Sequence, residues 1–134
     1  MKSVCEIEVR FRDIDALGHV NNAVYFSYFE QARIKFFADH LGQWNWKEYG
    51  LLLAHSEIDY LAPLYLNDKV TVETWCAHLG KKSLNFVYEV FTHNEGALVK
   101  VAKGMSVLVS FDYLEKRTIE IPVAWRAKLM SNIH

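Results

Sequence analysis

The sequence predicts an α+β domain: one strand, one long helix, then four or more strands joined by tight turns. Three observations carry this. Residues 23–41 keep a helical period. Residues 52–111 hold four strand-like segments. Short turn sequences separate the last three of these. Strands joined so tightly are antiparallel neighbours.

Each element follows from its own pattern. Residues 4–11 alternate, with Cys5, Ile7 and Val9 against Glu6, Glu8 and Arg10, and predict a half-buried first strand. A loop rich in turn residues covers 12–22, and Asn21 or Asn22 is the expected N-cap of the helix. On a 3.6-residue wheel Ser27, Gln31, Lys35 and Asp39 form a polar stripe. Tyr25, Phe29, Ala32 and Phe36 oppose it, widened by Phe26 and Phe37. So broad an apolar surface predicts a helix largely wrapped by other structure. After Gly42 a turn is expected through Trp44, Trp46, Tyr49 and Gly50. Strands are then expected at 52–61, 69–78, 83–92 and 98–111, with turns at 79–82 and 93–96. Gly104, inside the last strand, points to a bulge or a close backbone approach. Residues 122–130 read as a short helix with Pro122 near its start. Many strand residues are apolar on both faces, which predicts self-association.

Bulk properties exclude several classes. The 134 residues fit one domain, 1–134, and no linker or repeat divides them. A net charge of -1 lacks the basic footprint of a nucleic-acid binder. No apolar run approaches the ~20 residues that span a bilayer, and Glu6 and Glu8 interrupt any signal core. A cytoplasmic protein without membrane partners is expected. Cys5 and Cys76 sit in apolar alternation and read as buried reduced thiols, with no metal spacing.

Chemistry concentrates in residues 10–33. Asp13 and Asp15 lie two apart in the loop before the helix, and Gly18 permits a positive φ or a close approach to a ligand. The first N–H groups of a helix are unpaired and carry the positive end of its dipole. A carboxylate beside them is a usable hydrolytic site: the amides polarise a carbonyl while the carboxylate attacks or activates water. The same Asp-x-Asp spacing equally serves turn and capping chemistry, or an ion pair to Arg10, Arg12 or Arg33.

The stretch Asp13-x-Asp15-x-x-Gly18-His19-Val20-Asn21-Asn22-x-x-Tyr25-x-x-Tyr28-x-Glu30-x-Ala32-Arg33 resembles the signature of hotdog-fold thioesterases of the 4-hydroxybenzoyl-CoA thioesterase type. Ile58-Asp59-Tyr60-x-x-Pro63-Leu64-x-x-x-Asp68 is similar to that family's second strand and following turn. The resemblance implies one long helix wrapped by a curved antiparallel sheet of about five strands. It also implies a homodimer, often a dimer of dimers, with sites at the subunit interface. The implied reaction is hydrolysis of an acyl-CoA to a free acid and CoA, without metal or organic cofactor. The catalytic carboxylate would be Asp15, and the carbonyl-polarising donor the backbone N–H near Asn22.

Further candidates stand beside these two. His19 is placed to contact substrate, to tune Asp15, or only to cap the loop. Asn21 either donates a hydrogen bond near the thioester or caps the helix. Asp13 reads as structural, and an ion pair of Arg33 with Glu30 or Asp13 is expected, since a charge within an apolar arc needs a partner. Gly18 and Tyr25 are candidate substrate contacts. Lys81, Lys82 and Ser83 suit the phosphates of CoA, though a solvated hairpin tip carries the same residues. His55, Glu57 and Asp59 read as a polar strand face. Competing functions are acyl-carrier-protein thioester hydrolysis, a dehydratase or hydratase using Asp15 with His19, and a non-catalytic acyl-thioester binder. Asp15 argues against the last, because an uncompensated carboxylate beside an apolar groove is costly.

Overall fold

The computed structural model describes residues 1–42 and 47–130. Its elements are β1 (Ser3–Glu8), α1 (Tyr25–His40), β2 (Tyr49–Tyr60), β3 (Lys69–Leu79), β4 (Ser83–Asn94), β5 (Ala97–Asp112), β6 (Arg117–Thr118) and α2 (Val123–Met130). Two 3-10 turns, Phe11–Asp13 and Asn22–Val24, precede α1. The sheet order is β1-β3-β4-β5-β2, antiparallel throughout, with β6 paired to β5.

The α+β expectation holds, with a curled sheet of five main strands around one long helix. Alternation in β4 shows why. Leu84, Phe86, Tyr88 and Val90 are all fully buried, because every second side chain of a strand points to one face. That face receives α1. Phe29 stacks on Tyr88 with ring centroids 4.2 Å apart, and Phe36 meets Phe86 edge-on at 5.1 Å. Cys5 and Cys76 are buried free thiols as expected.

Gly104 lets the helix seat. A Cβ at that position would lie 2.5 Å from the Glu57 carbonyl oxygen and 2.7 Å from the Phe29 ring. It is the close approach, and the β4–β5 register passes it without a shift; the irregularity falls at Val90/Phe91.

Several boundaries differ from the pattern. The first strand stops at Glu8, because residues 11–13 close a 3-10 turn in which the Arg10 N–H donates to the Asp13 carboxylate at 3.0 Å. Tyr49 and Gly50 open β2 instead of belonging to a turn, and Trp44 and Trp46 lie outside the described residues. The two-residue β6 carries too little pattern to be read locally. Wrapping of α1 is one-sided within the chain: Phe26, Glu30 and Ile34, one turn apart in succession, stay exposed.

Candidate active site

The site is built from the loop between β1 and α1. Ile14 and Val20 form an isolated antiparallel bridge, and the Asp15 N–H donates to the His19 carbonyl at 3.1 Å, so the loop is a small hairpin. Gly18, at φ 88°, closes its tip, donating to the Asp15 carbonyl at 3.0 Å. A Cβ there would meet nothing within 4 Å, so the positive φ is what demands glycine. The hairpin is tied to the sheet side by the Val20 N–H, which donates to the Leu64 carbonyl at 2.8 Å.

Asp15 is half-buried and held on both oxygens. Its Oδ1 accepts from the Leu17 N–H at 2.9 Å, and its Oδ2 from Asn21 Nδ2 at 3.3 Å. Asn21 works in two directions. Its Oδ1 accepts from the Ala23 N–H at 2.9 Å, capping the 3-10 turn that leads into α1. One side chain therefore links the carboxylate to the helix start. The Asn22 N–H has no acceptor among the described residues. A carboxylate and an unpaired amide donor on one short loop can deprotonate water or attack a carbonyl, and can receive the oxyanion that forms.

Asp13 takes a different side-chain partner from the arginine expected. Its Oδ2 accepts from Tyr28 Oη at 2.9 Å as well as from the Arg10 N–H. Burial first, then this bond, pushes the Tyr28 phenol up from its ordinary value. The expected ion pair of Arg33 with Asp13 or Glu30 is absent among the described residues. Arg33 Nη1 instead donates to Tyr88 Oη at 3.2 Å, because the α1 face carrying Arg33 lies over the middle of β4. The His19 ring meets the Val20 carbonyl through Nδ1 at 3.3 Å, and among the described contacts it makes no hydrogen bond to the Asp15 carboxylate.

Tyr25 is only 2% exposed, and burial pushes its phenol up to about 12. Its ring forms part of the wall of a cavity of about 250 Å³ shared with His19, Asn22 and Tyr60. Tyr60 was not among the expected site residues. Its hydroxyl donates to the Asn22 carbonyl at 2.6 Å, across 38 residues of chain. The motif Ile58-Asp59-Tyr60 was the available signal, but nothing local says where a strand-end tyrosine reaches.

Lys81, Lys82 and Ser83 are not brought to Asp15 within one chain. Tyr60, beside the Asp15 loop, is level with Ala102 and Val90, whereas Ser83 is level with Val109. From Ser83 to Val90 is seven residues (90 − 83), roughly 23 Å of strand. The lysine turn is itself well ordered by α2: Arg126 Nη2 donates to the Gly80 and Lys81 carbonyls at 2.7 and 3.1 Å. Lys81 pairs with Glu120 at 3.3 Å, both side chains largely exposed. His55 and Glu57 lie 3.9 Å apart on exposed β2. Among the described residues no group of three or more His, Cys, Asp or Glu is placed to hold a metal ion, and no helix is long and apolar enough to cross a membrane.

A curled antiparallel sheet on one long helix, with a carboxylate loop at the helix start, is the hotdog architecture of thioester hydrolases. A family model described as the Thioesterase-like superfamily matches residues 9–129, and the chain belongs to that family. It is a thioester hydrolase. A predicted thioesterase from Bacillus stearothermophilus superposes with a TM-score of 0.87 at 30% identity, over 100% of this chain and 98% of its own. A Thermus thermophilus thioesterase complexed with coenzyme A and Zn superposes with a TM-score of 0.79 at 36% identity, over 96% and 92%. A chloroplast acyl-acyl carrier protein thioesterase of Arabidopsis thaliana is 31% identical over 97% of this chain and 70% of its own length.

Proposed function

We propose that the chain hydrolyses an acyl-CoA to a free carboxylic acid and CoA, with Asp15 as the catalytic carboxylate and the Asn22 N–H polarising the thioester carbonyl. What supports this above all is the Asp15–Asn21–Ala23 link, which joins the carboxylate to the helix start, where the Asn22 N–H has no acceptor among the described residues. As a general base, Asp15 takes a proton from water as the oxygen attacks the carbonyl carbon. The oxyanion forms at the Asn22 N–H and collapses, and CoA leaves as a thiolate that takes up the proton. As a nucleophile, Asp15 would form a mixed anhydride, expel the thiolate and be regenerated by water. In a single turnover in labelled water, label found in Asp15 shows an anhydride opened at the Asp15 carbonyl, whereas label in the acid is common to the general-base route and to an anhydride opened at the acyl carbonyl. Both routes end in acid and CoA.

The active unit is proposed to be a homodimer joined edge to edge through β2, with a dimer of dimers built from it. A two-fold pairing of antiparallel β2 strands sets the Tyr49 end of one copy beside the Tyr60 end of the other. Because Tyr49 and the lysine turn share an end of the sheet, the second copy's turn would lie on the side of this chain's Asp15. Lys81, Lys82 and Ser83 would then reach the CoA phosphates of the neighbouring site, with Gly18 and Tyr25 shaping the acyl end. His19 lines the same cavity.

Wild type and Asp15→Asn are assayed for CoA release over short, medium, long and aromatic acyl-CoAs. A loss of about 10²-fold or more in kcat, with the variant still folded, is expected. An Asp15→Asn enzyme as active as wild type would remove Asp15 from the chemistry. Release from acyl carrier protein but from no acyl-CoA would move the reading to the second donor, which the identity to the Arabidopsis relative favours.

A further inference from the structure

Tyr60 ends β2 and turns its side chain toward the helix start. Its ring stands edge-on to the buried Tyr25 ring at a centroid distance of 5.1 Å, so the tyrosine is braced by the core although 41% of it is exposed. Its hydroxyl donates to the Asn22 carbonyl at 2.6 Å, a short bond for O–H···O. That carbonyl belongs to the Asn22–Ala23 peptide, whose N–H is the group bound by Asn21 Oδ1 at 2.9 Å. One planar unit is therefore gripped at both ends, at its oxygen by the end of a strand and at its nitrogen by the side chain that also holds Asp15. The Asn22 N–H lies on the adjacent peptide, so fixing the Asn22–Ala23 plane restricts the swing of that donor. The neighbouring backbone is held as well, the Val24 N–H donating to the Asn21 carbonyl at 3.0 Å and the Asn21 N–H to the Asp13 carbonyl at 2.8 Å, so the Tyr60 bond completes a short network at an exposed turn.

We propose that Tyr60 is a positioning residue for thioester hydrolysis: its hydroxyl locks the Asn22–Ala23 peptide so that the Asn22 N–H stays aimed at the thioester carbonyl. This rests on the function proposed above. Preorganised donors act where charge develops, so loosening one lowers kcat more than it weakens substrate binding. Tyr60→Phe removes only the hydroxyl and keeps the ring packed on Tyr25. Tyr60→Leu removes both.

Tyr60→Phe is expected to lower kcat by about 10- to 100-fold with KM within about twofold, and with an unchanged urea midpoint. Tyr60→Leu is expected to lose activity and some stability together. A Tyr60→Phe enzyme within twofold of wild-type kcat, or one whose loss lies wholly in KM, overturns the role. The function fails differently, through a wild type that hydrolyses no thioester of either donor. In that event amide exchange at Ala23 decides the clamp: about tenfold faster exchange in Tyr60→Phe sustains it as a device of the fold, and unchanged exchange overturns it.

Discussion

Strands β4 and β2 are both twelve residues long, yet they end in opposite environments. In β4 every second residue from Leu84 to Thr92 is buried. In β2 only Gly50 is buried, and Leu52, Leu53 and Tyr60 are 41%, 53% and 41% exposed. Side-chain chemistry does not explain the contrast, since both strands are rich in apolar residues. Position does. β4 has a strand on each side and α1 above it, while β2 has β5 on one side and, among the described residues, no strand on the other. A long apolar edge of that kind is a template for another strand. Within one chain, half of the sheet is finished and half leaves an exposed edge, and the carboxylate loop sits beside the unfinished half.

The largest effect that tests this contrast belongs to the finished half. Phe29→Ala, at a fully buried ring stacked on Tyr88, is expected to cost about 3–5 kcal/mol in urea unfolding. Leu53→Ala on the β2 edge is expected to cost no more than about 0.5 kcal/mol at protein concentrations where the chain is a monomer. A cost rising with protein concentration would show the edge to be covered by a second copy.

Gly104→Ala tests the seam between the halves. Its new methyl would press on both the Glu57 backbone of β2 and the Phe29 ring of α1. An expected loss of about 1–3 kcal/mol is read from the urea midpoint, and an unchanged midpoint would mean the helix seats differently over β5.

The last effect is an alkaline one, again confined to buried groups. Burial pushes the Cys76 thiol up from 9.0 to about 11 and the Tyr25 phenol up from 10.0 to about 12. The folded chain therefore keeps these protons at pH values where the unfolded chain has lost them. Their contribution is complete below pH 9 and disappears as pH rises through 11 and 12, so the urea midpoint is expected to fall over that window. Cys76→Ala is expected to remove the earlier part of the fall. A midpoint flat from pH 9 to 11 in wild type would show that neither group keeps its proton in the fold.

Local periodicity was enough for the long helix, the four later strands, the two turns and the half-buried alternation of β4, because periods of 3.6 and 2 are written in adjacent residues. Part of the loop's hydrogen bonding is equally local: Asp15 to Leu17 and Asn21, and Asn21 to Ala23, join residues close in sequence. Pairings across the chain are not. Charge complementarity suggested an arginine for Asp13 and a carboxylate for Arg33, but the fold supplied Tyr28 and Tyr88. Tyr60 reaches Asn22 over 38 residues, and Lys81 sits at the far end of the sheet from Asp15. Those outcomes depend on strand order and register, which arise when the whole sheet closes on the helix. No segment of the sequence carries that information alone, since a strand reads the same whether its neighbours bury it or leave it at an edge.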